Sequence, residues 1–141
     1  MSYQTDIWLA NLNEDDLDIF EIEEAFLEFG KAQHMPFVAE AVFDAFSAIN
    51  DQSGPFPMHR TYGESIRKLC VEIARLMPTS SYCIRGVGEE FDDMWLGKYA
   101  NGEEVNFVTF EGELAKAVEP ASQVKRASAL DQAGLISGLR G

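Results

Sequence analysis

Apolar and polar residues recur with two different spacings along this chain, and the change of spacing marks its architecture. Over residues 5–12 apolar side chains fall near alternate positions, which predicts a short first strand. Over residues 13–50 and 61–77 they recur every three or four positions, as on one face of a helix. After Ser81 the spacing returns toward two, so strands are predicted there.

Two helices are predicted before residue 50. Asn13 is a favourable N-cap for the first, acidic residues fill its first turn, and Gly30 is a typical C-terminal stop. Pro36 suits the first turn of the second, which is apolar around much of its circumference and runs to about Asn50. Such an apolar helix is expected at the centre of the core or at a contact with another molecule.

A third helix is predicted after residues 51–60, whose Ser, Gly and Pro content is typical of a loop. Thr61 and Glu64 have the spacing of a capping box, which predicts where this helix begins. It is expected to end at Met77, because the residue that follows is a proline.

Three further strands are predicted over residues 81–88, 92–100 and 103–111. Asn101 and Gly102 favour a type I′ hairpin turn between the last two, since both residues tolerate positive φ angles. The sequence therefore predicts an α+β fold. Its antiparallel sheet would have three to four strands, from this C-terminal meander and the short N-terminal strand, with about three helices packed mainly on one face.

Charge is distributed unevenly along the chain, which carries 24 acidic and 11 basic residues and a net charge of -13. Residues 1–51 contain twelve acids and Lys31 as their single base. Residues 1–114 are expected to form one domain. Residues 115–141 have a small positive net charge and few aromatics, and are expected to form either a peripheral C-terminal helix or a mobile tail.

The residues that usually carry catalysis are not arranged in a known motif. Cys70 and Cys83 have apolar neighbours and are expected to be buried thiols, while His34 and His59 fall in other segments. Zinc-ligand spacing, phosphate-binding loops and nucleophile elbows do not occur. We therefore expect no enzymatic activity, no metal and no cofactor. Neither a targeting segment nor an apolar run of membrane-spanning length is found, which favours a cytoplasmic protein.

Carboxylates suggest a binding function instead. A strongly acidic surface repels nucleic acids and anionic membranes and attracts basic protein surfaces. Duplex DNA presents about one negative charge per 1.7 Å of its axis, so a ridge of carboxylates can occupy a groove that normally binds DNA. The predicted partner is a protein with a basic surface, such as a nuclease or a defence complex. The predicted role is inhibition of the anti-CRISPR, antirestriction or toxin-immunity kind.

The candidate partner-binding residues combine acids that would steer association with aromatic side chains that would supply affinity. The acids of the first helix and the segment before it are Asp15, Asp16, Asp18, Glu21, Glu24 and Glu28. The acids of the loop between two predicted strands are Glu89, Glu90, Asp92 and Asp93, and the aromatic residues are Phe56, Trp95 and Tyr99.

Two alternatives remain open from the sequence. The first is a structural or oligomerising module that forms a homodimer through its apolar second helix or an aromatic sheet face, with charge serving solubility alone. The second is a small metal-dependent enzyme that uses the acidic loop at residues 89–93, although an acidic loop is more often simply solvated.

Overall fold

Helices and strands follow the order expected from the sequence, with one additional strand. The computed structural model describes residues 3–90 and 93–109. The strands are β1 (Gln4–Asn11), β2 (Phe56–His59), β3 (Ser81–Val87), β4 (Met94–Ala100) and β5 (Glu103–Thr109). The helices are α1 (Glu23–Ala32), preceded by a 3-10 turn at Ile19–Ile22, then α2 (Pro36–Ser47) and α3 (Gly63–Leu76). The predicted boundary at residue 114 and the segment 115–141 lie outside the described residues.

The sheet has five antiparallel strands in the order β2-β1-β3-β4-β5, so the predicted α+β fold is confirmed. The additional strand is β2, which lies inside the stretch predicted as a loop and pairs with β1 from Ile7–Phe56 to Gln4–His59. The prolines in this stretch are typical of a loop, so the sequence pattern does not indicate a strand there. An edge strand tolerates a residue without an N–H group, because one side of its backbone has no neighbour.

One face of the sheet is buried beneath the helices. Side chains at alternate positions of β1, β3 and β4 are almost inaccessible, whereas their neighbours in sequence are partly or fully exposed. The hydroxyl of Tyr82 donates to the carbonyl of Cys70 in α3 at 2.6 Å, and its ring meets Phe46 of α2 edge-on. The hydrophobic core therefore lies between a layer of helices and this face.

The first helix begins later than predicted, because Asn13 does not cap it. Asn50, just after α2, accepts from the backbone N–H of Leu17 at 3.0 Å and donates to its carbonyl at 2.8 Å. These bonds hold the chain in a non-helical path until Asp18, whose side chain accepts from the N–H of Phe20 and starts the 3-10 turn.

The same helix passes through its predicted stop, Gly30, and ends at Ala32. His34 follows with a φ of 62°, and the N–H of Met35 donates to the carbonyl of Gly30 at 2.9 Å, as in a Schellman motif. Gly30 is instead a point of close approach, since a Cβ atom there would lie 2.4 Å from that of Ala39 in α2.

The capping box predicted for α3 does not form. The N-cap position is Tyr62, and the hydroxyl of Thr61 donates to the carbonyl of His59 at 2.7 Å. The hairpin between β4 and β5 agrees with its prediction, because Asn101 and Gly102 have φ angles of 56° and 82°.

Candidate partner-binding surface

The acidic residues between positions 13 and 51 all lie at the surface. There are eleven of them, and every side chain is exposed. Lys31 is the single base in this stretch, and its ammonium nitrogen lies 3.3 Å from a carboxylate oxygen of Glu28. We call these eleven residues the acidic surface: Glu14, Asp15, Asp16, Asp18, Glu21, Glu23, Glu24, Glu28, Glu40, Asp44 and Asp51. The carboxylates that would attract a basic partner are therefore concentrated in one contiguous stretch of the chain, residues 13–51.

Local structure explains how the first helix carries so many carboxylates. Asp18 caps the 3-10 turn through its bond to the Phe20 N–H at 3.1 Å. Glu23 and Glu24 occupy the first turn of α1, where the helix dipole favours negative charge. The charges at this end therefore support the helix as well as facing solvent.

An exposed aromatic ring lies among these carboxylates. Phe20 is 60% exposed, and its ring meets that of Phe43 edge-on with centroids 5.3 Å apart. The shallow depression beside it is lined by Phe20, Glu21, Glu23, Glu24, Leu27, Glu28 and Lys31. A ring that rests on the core at one edge and is open to solvent at the other is well suited to anchor a protein partner.

Phe20 is not among the binding residues predicted from the sequence. A continuous helix from residue 13 would place it in the apolar stripe that faces the core. The 3-10 turn has three residues per turn instead of 3.6, and this changes which side chains point inward. Ile19 and Ile22 are buried, and Phe20 is left outside. The signal in the sequence is Asp18, a good N-cap that precedes the turn.

Carboxylates of the second predicted acidic region bind their own chain. Glu89 accepts a hydrogen bond from the backbone N–H of Gln4 at 2.7 Å. The hydroxyl of Tyr3 donates to the carboxylate of Asp93. Burial and this hydrogen bond together raise the pKa of Tyr3 to about 12. Both carboxylates therefore help to fasten the β3–β4 loop to the start of β1.

The structure does not bring this loop together with the acids that precede α1. The loop lies beside Gln4, at one end of β1, whereas residues 13–18 follow Asn11, at its other end. Seven residue steps of a strand span about 23 Å, at roughly 3.3 Å per residue. Glu90 is exposed on the loop, and Asp92 lies outside the described residues. The two predicted groups are therefore separate patches.

The aromatic residues predicted as anchors lie mostly in the core. Trp95 is 6% exposed and stacks on Phe107 with ring centroids 5.8 Å apart. Tyr99 is fully buried, and its hydroxyl donates to a carboxylate oxygen of Glu104 at 3.0 Å. Phe56, on the edge strand β2, is half-buried. Trp95 and Tyr99 thus have a packing role, and Phe20 is the more accessible ring.

Thiol and imidazole groups are not placed for joint chemistry in the described structure. Cys70 is fully buried, which raises its pKa, and burial likewise raises the pKa of the half-buried Cys83. His34 and His59 line another groove, between the start of α2 and β2, whose lining contains no cysteine. Within residues 3–90 and 93–109, no three His, Cys, Asp or Glu side chains form a group that could hold a metal ion.

Comparisons of the chain with protein-family models, curated proteins and solved structures found no match. Among the described helices, none is long and apolar enough to cross a membrane.

Proposed function

We propose that this protein binds a basic, nucleic-acid-binding groove of another protein through its acidic surface and thereby inhibits that protein. The observation that carries the proposal is the exposure of all eleven acids between residues 13 and 51, against a single lysine that is already paired. A nuclease or a defence complex is the class of target that offers such a groove.

The arrangement of acids on α1 supports charge mimicry. Four helical residues rise about 6 Å along the axis, so Glu24 and Glu28 follow one another at roughly twice the 3.4 Å spacing of phosphates along one DNA strand. The carboxylates would attract the basic groove over a distance and set the orientation of docking. Phe20, the exposed ring among them, would supply the apolar contact that charges alone do not provide.

The test compares two triple variants with equal changes in charge. The first replaces three carboxylates beside Phe20 and is Glu21→Gln/Glu23→Gln/Glu24→Gln. The second removes three exposed carboxylates elsewhere and is Glu64→Gln/Glu90→Gln/Glu103→Gln. Native protein and both variants are immobilised, incubated with lysate of the source cell and of its competitors, and eluted first with a short DNA duplex and then with a salt step.

We expect the native protein and the second variant to retain a nucleic-acid-processing protein that the duplex releases, and the first variant to lose it. The retained protein is then purified, and its activity is measured with increasing amounts of the native chain. Equal retention by the first and second variants, or a retained protein that DNA fails to displace, would contradict the proposal.

A second candidate function, an oligomerising module, is favoured by apolar side chains on the sheet. Leu96, in the central part of β4, is 39% exposed although it belongs to a strand whose other face is in the core. Salt separates the two candidates, since binding to a basic groove weakens steeply as salt rises, whereas an apolar contact responds little.

A further inference from the structure

The sheet face turned away from the helices is defined by three rows that cross β1, β3 and β4. The registers of the strands place these residues opposite one another. The rows are Asp6–Val87–Met94, Trp8–Arg85–Leu96 and Ala10–Cys83–Lys98. We call these nine residues the open face, because the three helices lie on the other side of the sheet; four of the nine are exposed and five are half-buried.

The open face differs in charge from the rest of the molecule. It carries two bases and one acid in a chain whose net charge is -13. Arg85 lies over the ring of Trp8, 4.3 Å from its centroid. Within the described residues, Arg85 and Lys98 have no carboxylate partner, whereas Lys31, Arg67 and Arg75 pair with Glu28, Glu104 and Glu72. As far as the described residues go, these two basic groups can pair with an acidic group of another molecule.

The nine positions are self-complementary across one diagonal. A line from Ala10 through Arg85 to Met94 divides the grid, and reflection across it exchanges Asp6 with Lys98. The same reflection exchanges Trp8 with Cys83 and Val87 with Leu96, so the two remaining exchanged pairs are apolar. Off the diagonal, charge therefore falls on opposite charge and apolar groups fall on apolar groups, whereas on the diagonal Arg85 falls on its own copy.

Such a reflection is what a twofold axis lying between two stacked sheets produces. When the axis follows this diagonal, the strands of the two copies cross at roughly 70°, which is nearer to the orthogonal than to the aligned packing of sheets. Neighbouring positions are about 4.8 Å apart across the strands and about 6.7 Å apart along them, so Asp6 and Lys98 come within reach of an ion pair.

We propose that the open face binds a second copy of this chain, forming a twofold dimer in which Asp6 of each copy pairs with Lys98 of the other. This contact turns the acidic surfaces of both copies outward, which keeps their mutual repulsion low. The two Arg85 groups meet near the axis, and this opposes the contact. Nine residues are also few beside the 20–30 per side of a standard interface, so the dimer is expected to be weak, with a dissociation constant of roughly micromolar or above.

The experiment is sedimentation velocity of the full chain over a range of concentrations from about 1 to 500 μM, the span in which a weak interface of this size is expected to associate. Four variants accompany the native chain. They are Asp6→Lys, Lys98→Asp, the double variant Asp6→Lys/Lys98→Asp, and Asp44→Lys, which makes the same charge change as Asp6→Lys on the helical side.

The expected result is a concentration-dependent dimer that each single reversal at Asp6 or Lys98 weakens about tenfold or more and that the double reversal restores, as a close charge pair requires. Asp44→Lys is expected to leave the dimer intact or strengthen it slightly. A second measurement uses Arg85→Leu, which is expected to strengthen the dimer because it removes the repulsion at the axis.

A native chain that stays monomeric throughout, or a dimer whose affinity the double reversal fails to restore, would overturn the proposal. Weakening of association by Arg85→Leu would likewise overturn it, because the proposed axis brings the two Arg85 groups together and their removal must then favour the dimer. This inference does not depend on the proposed function. The variants of the acidic surface leave the open face unchanged, so failure of one proposal is distinguishable from failure of the other.

Discussion

The guanidinium group of Arg67 donates two hydrogen bonds to the carboxylate of Glu104, from Nε at 2.9 Å and from Nη2 at 2.7 Å. This pair joins α3 to the edge strand β5. The ring of Phe107 lies under the same guanidinium, 3.7 Å from its central carbon, and Tyr99 donates a third bond to the carboxylate. A charged pair therefore joins the helix layer to the sheet at the edge formed by β5.

Replacement of this carboxylate should reduce stability in a pH-dependent way. The hydrogen bonds from Arg67 lower the pKa of Glu104 in the folded protein, so its ionised form stabilises the fold. That contribution is present above the usual pKa of a glutamate in an unfolded chain and is lost as pH falls through the lower folded value. We expect Glu104→Gln to lower the free energy of unfolding by about 1–2 kcal/mol at pH 7, since the side chain is largely buried and the pair is bidentate.

Urea denaturation at pH 7 and at about pH 3 measures this effect as the difference between native and variant. The difference should begin to shrink once pH falls below the usual pKa of a glutamate in an unfolded chain, because the unfolded state then binds a proton that the folded state resists. Glu103→Gln is the matched control, because Glu103 is the exposed neighbour in β5. An equal loss in both variants at pH 7 would show that charge on β5, and not the Arg67 pair, sets the effect.

The contact between Gly30 and Ala39 predicts the opposite of the usual response to an alanine in a helix. Gly→Ala within a helix ordinarily stabilises by roughly 0.5–1 kcal/mol. At Gly30 the new Cβ would lie 2.4 Å from the Cβ of Ala39, so α1 and α2 must separate. We expect Gly30→Ala to destabilise the protein by about 1–3 kcal/mol in chemical denaturation.

The double variant Gly30→Ala/Ala39→Gly provides the check, because it moves the methyl group from one helix to the other. Its stability should exceed the value expected if the two single substitutions were additive. Additive effects would mean that the two helices do not approach as closely at this point as the structure shows.

The fold was largely predictable where it depends on local patterns. Pro36 at the start of α2, and the positive φ angles of Asn101 and Gly102, follow from the intrinsic preferences of these residue types. The late start of α1 was not predictable, since it depends on Asn50, 33 positions away from Leu17. Long-range hydrogen bonds of this kind leave no periodic signal in the sequence.

The candidate surface was also predictable only in part, because it too depends on contacts between residues that are distant in the sequence. Exposure of the acids follows from their chemistry, since carboxylates are rarely buried without a partner. Which aromatic rings reach solvent depends on tertiary packing. Trp95 and Tyr99 have the alternation of strand residues, and either face of their strand is apolar enough to be the inner one. The helices decide this, and they cover both rings.

The hairpin between β4 and β5 gives a further prediction, because Asn101 lies in the left-handed region with a φ of 56°. Asn101→Val should destabilise the protein by about 1–2 kcal/mol, since a β-branched side chain is strongly disfavoured in that conformation. Asn101→Gly should be close to neutral, as glycine adopts positive φ freely. Thermal unfolding of the two variants measures both effects, and equal losses would indicate that the turn depends on the asparagine side chain instead of on φ.

The exposure of Phe20 and the burial of Trp95 predict different consequences when each ring is removed. Trp95→Ala should cost about 3–5 kcal/mol in urea denaturation, because it opens a cavity beneath α3 and beside Phe107. Phe20→Ala should cost about 1 kcal/mol or less, since most of this ring already faces solvent. Phe20 can therefore be tested for affinity in a folded protein, whereas Trp95 cannot. A large loss of stability in Phe20→Ala would place that ring in the core and remove it as an anchor for a partner.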